Sequence, residues 1–238
     1  MGRYELGQKG LKPENSWQVD LGSDYTSDIV SAQVSLFVNR INHYVFSRKL
    51  TDADGKPVIT DGYDTYQFAA GNACLSGGEL NIDIHPVEAL HFENDFSYVN
   101  SIQLHQPKES KYLPFTPAPR WNSSLHYDFI RDGRVFNNLF AGIDMECDFK
   151  QTHFYAEGGT ETETPSYTLF NLSAGTEIRN KGKKLASIVF SANNIFDRGY
   201  QSHLSRLKYE DVNNYTGRTG VFNMGRNFGV KVLVPIAL

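Results

Sequence analysis

Seven histidines, His43, His85, His91, His105, His126, His153 and His203, are the side chains best suited to hold a metal ion or move a proton near neutral pH. None pairs with another at i, i+4, and Cys74 and Cys147 stand far apart rather than in a paired-Cys spacing, so no metal site and no cofactor are expected. His85 and His91 flank a short turn and read as ordinary polar-face histidines. Gly77-Gly78 and the stretch Gly217 to Gly220 lack the Lys-Ser/Thr ending of a phosphate loop. Such glycines are expected to mark bulges or a close approach of another segment. No nucleophile, base and acid stand in a legible grouping, so the chain is not expected to be an enzyme.

The remaining charged residues follow a rule of position. Glu79, Asp83, Glu93, Asp95, Arg120, His126 and Asp128 all fall on the polar side of an alternating pattern. From Leu90 to Leu104 the even positions Leu90, Phe92, Phe96, Tyr98, Ile102 and Leu104 are apolar, with Asn94 and Asn100 interrupting. The odd positions run His91, Glu93, Asp95, Ser97, Val99, Ser101, Gln103. A period of two is the mark of a strand with one apolar and one polar face.

The same period recurs in Trp17 to Tyr25, Val30 to Val38, Leu80 to Ile84, Trp121 to Phe129, Val135 to Phe149, Phe170 to Ile178, Ala186 to Phe196, and Phe222 to Ile236. About nine to ten long strands are expected, with no helix between them. Several hold the alternation for about 12 to 16 residues, against the usual 5 to 6, enough to cross a bilayer at a steep tilt. Short turns at Thr26-Ser27, Pro86 to Ala89, Asp132-Gly133 and Asn180 to Lys183 alternate with long polar loops near 51–64, 105–118, 152–166 and 198–221. Short turns at one end and long loops at the other are the asymmetry of an outer-membrane barrel.

Composition agrees. Of 238 residues 40% are hydrophobic and 13% aromatic, with 13 Tyr and 16 Phe against 3 Met, and no apolar run reaches the roughly 18 residues of a membrane helix. The net charge of -4 comes without a basic stripe, so nucleic acid is not an expected partner. Two cysteines are too few for a disulfide framework and are expected as unpaired thiols. Met1 to Glu5 shows no apolar leader, consistent with a cytoplasmic chain or with part of something longer.

The polar face is rich in Ser, Asn, Gly and Gln, which suits a hydrated or plugged lumen better than a soluble exterior. The residues Glu79, Asp83, Glu93, Asp95, Arg120, His126 and Asp128 are therefore the candidate lumen contacts. Trp17, Tyr25, Trp121, Phe129, Phe149, Phe196 and Phe222 lie near strand ends, as interfacial aromatic girdles would. The alternative is a soluble β-barrel ligand-binding module with an apolar interior, in which these are core aromatics. A third reading, an outer-membrane barrel enzyme, would need chemistry around His203 or His105 at the rim.

Several motifs in order carry a resemblance. They are Tyr4-Glu5-Leu6-Gly7 with Leu11-Lys12-Pro13-Glu14, Gly77-Gly78-Glu79-Leu80 leading to Asp83-Ile84-His85-Pro86, and Leu113-Pro114 with Pro117-Ala118-Pro119-Arg120. Thr164-Pro165-Ser166-Tyr167-Thr168-Leu169 and Asn193-Asn194-Ile195-Phe196-Asp197, then Tyr200 and His203-Leu204-Ser205-Arg206, complete the series. Together they resemble the C-terminal barrel part of TonB-dependent outer-membrane receptors of the iron and siderophore type. The resemblance implies an all-β, antiparallel transmembrane β-barrel of 22 strands, of which residues 1–238 form a C-terminal segment without the plug domain. It implies residence in the Gram-negative outer membrane, contact with its lipid, import of a scarce small ligand such as an iron-siderophore complex, and a TonB complex that acts only through the missing plug. Leu238 stands where such proteins usually end in an aromatic, and a piece of a longer protein is expected.

Overall fold

The computed structural model describes residues 2–159 and 161–236; Leu238 and Thr160 lie outside the described residues. Long alternation commits the backbone to extended structure, and the described residues form eleven strands and three short 3-10 turns. The strands are β1 (Tyr4–Leu6), β2 (Asn15–Thr26), β3 (Val30–Lys49), β4 (Ile59–Thr60), β5 (Tyr63–Val87) and β6 (Leu90–Leu104). They continue with β7 (Arg120–Ile130), β8 (Phe136–Asp148), β9 (Tyr167–Asn180), β10 (Lys183–Asn193) and β11 (Asn227–Leu233). Nine of them form one antiparallel meander in the order β2, β3, β5, β6, β7, β8, β9, β10, β11. The two additions are too short to show a period: β1 runs parallel to the start of β5, and β4 folds onto it as a small hairpin.

Short turns close one end of the meander and long loops leave the other, as the alternating loop lengths predict. In the two-residue turn between β9 and β10, Lys181 and Gly182 have φ of 47° and 79°, the pair of positive values a type I′ turn requires. Three details depart from the sequence pattern. β3 and β5 reach 20 and 25 residues, longer than their alternation alone suggests. The last strand contracts to seven residues, Asn227–Leu233. Phe196 lies beyond the end of β10, because Asn194 and Asp197 take φ of 49° and 52° and the Asn194 side chain bonds both the N–H and the carbonyl of Arg198, turning the chain out of the sheet.

Glycine does not mark the bulges. Register shifts fall at Ile41/Tyr44, Ile84/Val87, Asp128/Ile130, Asn137/Phe140 and Lys184/Ala186, with His43 and Asn138 at positive φ. Each extra residue reverses which face the next one meets. Gly77 instead sits in unbroken register, where a Cβ would meet the Phe37 ring at 2.8 Å and the Tyr98 carbonyl oxygen at 2.4 Å.

The registers align like with like across the sheet. One row runs Val30, Ile84, Phe92, Leu125, Ile143, Leu172, Ala192, Phe228 through eight strands. On the opposite face one row runs Ser35, Glu79, Ser97, Arg120, Asp148, Tyr167. The apolar face is bare: Val19, Val230 and Phe228 are 73%, 64% and 77% exposed. The buried residues Ala73, Ser101, Gln103, Asp148, Tyr167 and Leu169 all belong to the polar face at its loop end, where the loops fold over it. The polar face is covered at its loop end and open along the middle of the sheet, where Glu79, Glu93, Asp95 and Arg120 are exposed, while the apolar face is bare along its whole length.

Candidate functional site

All seven of these residues, Glu79, Asp83, Glu93, Asp95, Arg120, His126 and Asp128, stand on the sheet's polar face. Glu79 and Arg120 share one cross-strand row, Asp95 lies in the next with Asn81 and Asn122, and Asp83 and Glu93 are direct partners in the row beyond. His126 faces His91 across β6 and β7, and Asp128 follows toward the turns. Period-two spacing aims these side chains to one side, and the bulge-free centres of β5, β6 and β7 keep them there.

Their partners differ. Arg120 forks onto Asp148, with Nη2 3.5 Å from Oδ1 and Nε 3.4 Å from Oδ2. His126 Nε2 lies 3.0 Å from Asp128 Oδ1, and its ring stacks on Phe140 at 4.7 Å. Asp83 stands 3.2 Å from His85 Nδ1 and 4.0 Å from His91 Nδ1. Among the described residues no group of three or more His, Cys, Asp or Glu is arranged to hold a metal ion, and both cysteines are free thiols. A wall of separate carboxylates, hydroxyls and amides is built to hold water or a polar surface.

The aromatics fall at two levels. Trp17, Trp121 and Phe149 stand at the loop ends of β2, β7 and β8, Tyr25 and Phe129 at the turn ends of β2 and β7. Trp121 donates from Nε1 to Asn94 Oδ1 at 3.3 Å, and Phe149 meets Phe96 edge-on. Phe196 sits edge-on to Phe170 on the outward face, whereas Phe222 is half-covered in the last loop beneath the Arg218 guanidinium.

Above the wall stands a feature with no local signature in the sequence. The loops at 105–119, 149–166 and 194–226 are bonded into one body. The buried Glu161 carboxylate accepts from the backbone N–H of Phe115 at 2.7 Å in one loop and Tyr155 at 3.0 Å in another. Gln151 Nε2 donates to the carbonyls of Thr116 and Pro117, and His153 stacks on Tyr112 at 4.5 Å. The third loop joins through Lys208, whose Nζ donates to Thr162 O and Thr164 Oγ1, and through His203, whose Nδ1 is 2.7 Å from Thr164 Oγ1. Burial, helped by the Lys208 charge, holds the His203 pKa down at about 4.

Between this body and the projecting parts of β3 and β5 lies a cavity of about 390 Å³. Tyr44, Phe46, Tyr66, Phe115, Tyr155 and Tyr209 line it, with Arg3, Lys49 and Arg206 as its cations. Arg3 is paired with Glu5 and Lys49 with Asp64, leaving Arg206 without a carboxylate partner among the described residues, its guanidinium 4.5 Å over the Phe115 ring. Burial and a 2.5 Å hydrogen bond to Glu157 push the Tyr155 hydroxyl well above its usual pKa, so it stays a neutral donor. An aromatic, partly apolar cup with one uncommitted cation suits a compact ligand bearing delocalised or negative charge. Loop residues carry no period, which is why spacing does not reveal them.

Residues 2–195 match the family model of the TonB-dependent receptor-like β-barrel. The ferrioxamine B receptor of Salmonella typhimurium (strain LT2) is 26% identical over 205 residues, covering 84% of this chain and 26% of that receptor. The chain thus spans about a quarter of the length of the curated relative it matches. Among solved structures, the copper transporter OprC superposes with a TM-score of 0.75 at 19% identity, over 94% of this chain and 32% of that one. The FrpB iron transporter from Neisseria meningitidis (F5-1 variant) gives 0.68 at 19%, over 97% and 33%. The ferric enterobactin receptor PfeA from Pseudomonas aeruginosa gives 0.62 at 20%, over 94% and 31%. These likenesses show a segment of one barrel fold.

Proposed function

The chain belongs to the TonB-dependent receptor-like β-barrel family, and on that footing we propose that it builds part of the wall of an outer-membrane barrel importing a scarce small ligand. The observation that carries this reading is the sorting of the sheet's two faces: a bare apolar face outward, a polar wall inward, and an aromatic cavity where the loops close over the wall. Lipid would cover the first. The second would meet water or a plug domain, through which the TonB complex would act.

The ligand we infer is a metal chelate of the iron-siderophore kind. Its support is the pairing of Tyr44, Tyr66, Tyr155 and Tyr209 with Arg206 in a cup of suitable size, alongside a relative named for ferrioxamine B. The test is to insert the 238-residue chain into phosphatidylcholine vesicles, confirm flotation and heat-modifiable migration, and titrate with ferrioxamine B and ferric enterobactin while following tyrosine quenching. Saturable quenching that weakens roughly tenfold in Arg206→Gln is expected. A water-soluble monomer needing no detergent would overturn the membrane reading, and a floating chain that neither chelate quenches would overturn the ligand.

The soluble-module alternative would need the apolar face buried, and its long rows are exposed. The enzyme alternative finds no support at His203, which is committed to Thr164 rather than to a carboxylate.

A further inference from the structure

Away from the cavity, three arginines share one knob at the loop end of β10 and β11. Asn194 ties the knob together, accepting from the Arg198 N–H at 2.8 Å and donating to the carbonyls of Arg198 and Met224. Arg226 donates from Nη1 to the Ile195 carbonyl at 3.4 Å. Arg218 Nη1 lies 3.2 Å from where a Cβ on Gly199 would be, and its guanidinium covers Phe222 at 5.0 Å. Arg198, Arg218 and Arg226 are all exposed, and none forms an ion pair among the described residues. The nearby Asp197 carboxylate is already accepting the Arg226 backbone N–H at 2.8 Å.

The same knob exposes apolar side chains. Phe196, Met224 and Phe228 are 72%, 72% and 77% exposed. Phe228 belongs to the outward row, and Phe196 meets the outward Phe170 edge-on. Asn227 points inward, hydrogen-bonded to Asn193, so Arg226 alternates to the outward side, about 7 Å along the strand from Phe228. Pairing of β11 with any further strand would leave that face unchanged. Arg226 stands at the upper limit of the outward apolar surface, with Arg198 and Arg218 exposed in the same knob, a position that matches the layer where acyl chains give way to headgroup phosphates, and guanidinium binds phosphate in a bidentate fork.

We propose that Arg198, Arg218 and Arg226 form a docking surface for the phosphate headgroup of a membrane lipid whose chains lie against Phe196, Met224 and Phe228. The surface is open and continuous with the apolar face, which favours a lipid over a free anion. The proposal rests on the membrane reading above.

The test inserts the full chain into phosphatidylcholine vesicles doped with phosphatidic acid, extracts it in mild detergent, and measures retained lipid by native mass spectrometry. Wild type should retain phosphatidic acid over phosphatidylcholine, and Arg226→Gln should weaken that preference about fivefold. The variant R198Q/R218Q/R226Q should abolish it while floating with vesicles as wild type does, and R198K/R218K/R226K should keep a reduced preference, showing that charge rather than folding is lost. Equal retention by wild type and the triple glutamine variant would overturn the proposal. So would release by millimolar inorganic phosphate, which would mark an anion pocket instead of a lipid surface. A wild type that floats without preferring phosphatidic acid defeats this inference alone, whereas a chain that does not float defeats the membrane reading and this inference with it.

Discussion

The Phe140 ring on β8 lies across Gly175 on β9, so close that a Cβ at 175 would fall 2.8 Å from Cε1 and 3.0 Å from the Ile188 carbonyl oxygen. His126 stacks on the same ring, so the glycine leaves room for a layered pair on the inner wall. Gly175→Ala should destabilise the chain by about 1–3 kcal/mol in urea unfolding from vesicles. Much of that loss should vanish in a Phe140→Ala background, and an additive double variant would show that the ring is not the obstacle.

Which face meets lipid can be read from paired arginine substitutions. Ile143→Arg, in the middle of the outward row, should cost about 2–4 kcal/mol in a bilayer. Asn122→Arg, on the inner wall, should cost under about 1 kcal/mol. Equal costs measured by vesicle refolding titrations would reverse the assignment of faces.

Glu161 should be the joint between two outer loops. Glu161→Ala leaves the part-buried N–H of Phe115 and the buried N–H of Tyr155 without their carboxylate partner, a loss of about 1.5–3 kcal/mol of local stability. Hydrogen exchange should quicken at those two amides and spread through 105–119 and 149–166, with the strands unaffected.

Acid should loosen the third loop from the second. Unfolded, His203 titrates near 6.5; folded, burial and Lys208 hold it at about 4. Between those values the open segment takes up a proton that the closed one refuses, so the closed state is fully favoured above about pH 6.5 and weakens as pH falls toward 4. The expected loss is on the order of 1–3 kcal/mol. Proteolysis within 198–221 followed against pH should show this slope, and His203→Asn should flatten it.

Period two carries the meander, the separation of faces and the alternation of turns with loops, because in a long strand each residue's face is fixed by its neighbour's. It places Glu79, Asp83, Glu93 and Asp95 on one wall without any knowledge of registers. It fails where one residue is inserted: the bulges at His43 and Asn138 reverse the order, and the tight turn at Asn194 removes Phe196 from a strand whose spacing it otherwise fits. The cavity was invisible for a different reason. Tyr155, Arg206 and Tyr209 come together through Glu161, Thr164 and Lys208, contacts between loops far apart in sequence that no local pattern announces.

The length of β5 has a consequence for the cup. β6 pairs with it only as far as Asn72, so residues 63–71, accompanied by the last part of β3, continue about 30 Å farther as a ribbon. That ribbon leans against the loop body, with Thr65 buried, and its tip around Asp52, Asp54 and Lys56 is exposed. The cup runs along this ribbon, from Tyr44 and Phe46 near its base to Lys49, Asp64 and Tyr66 near its end, so any bending of the ribbon would change the shape of the cup as well as the position of the tip.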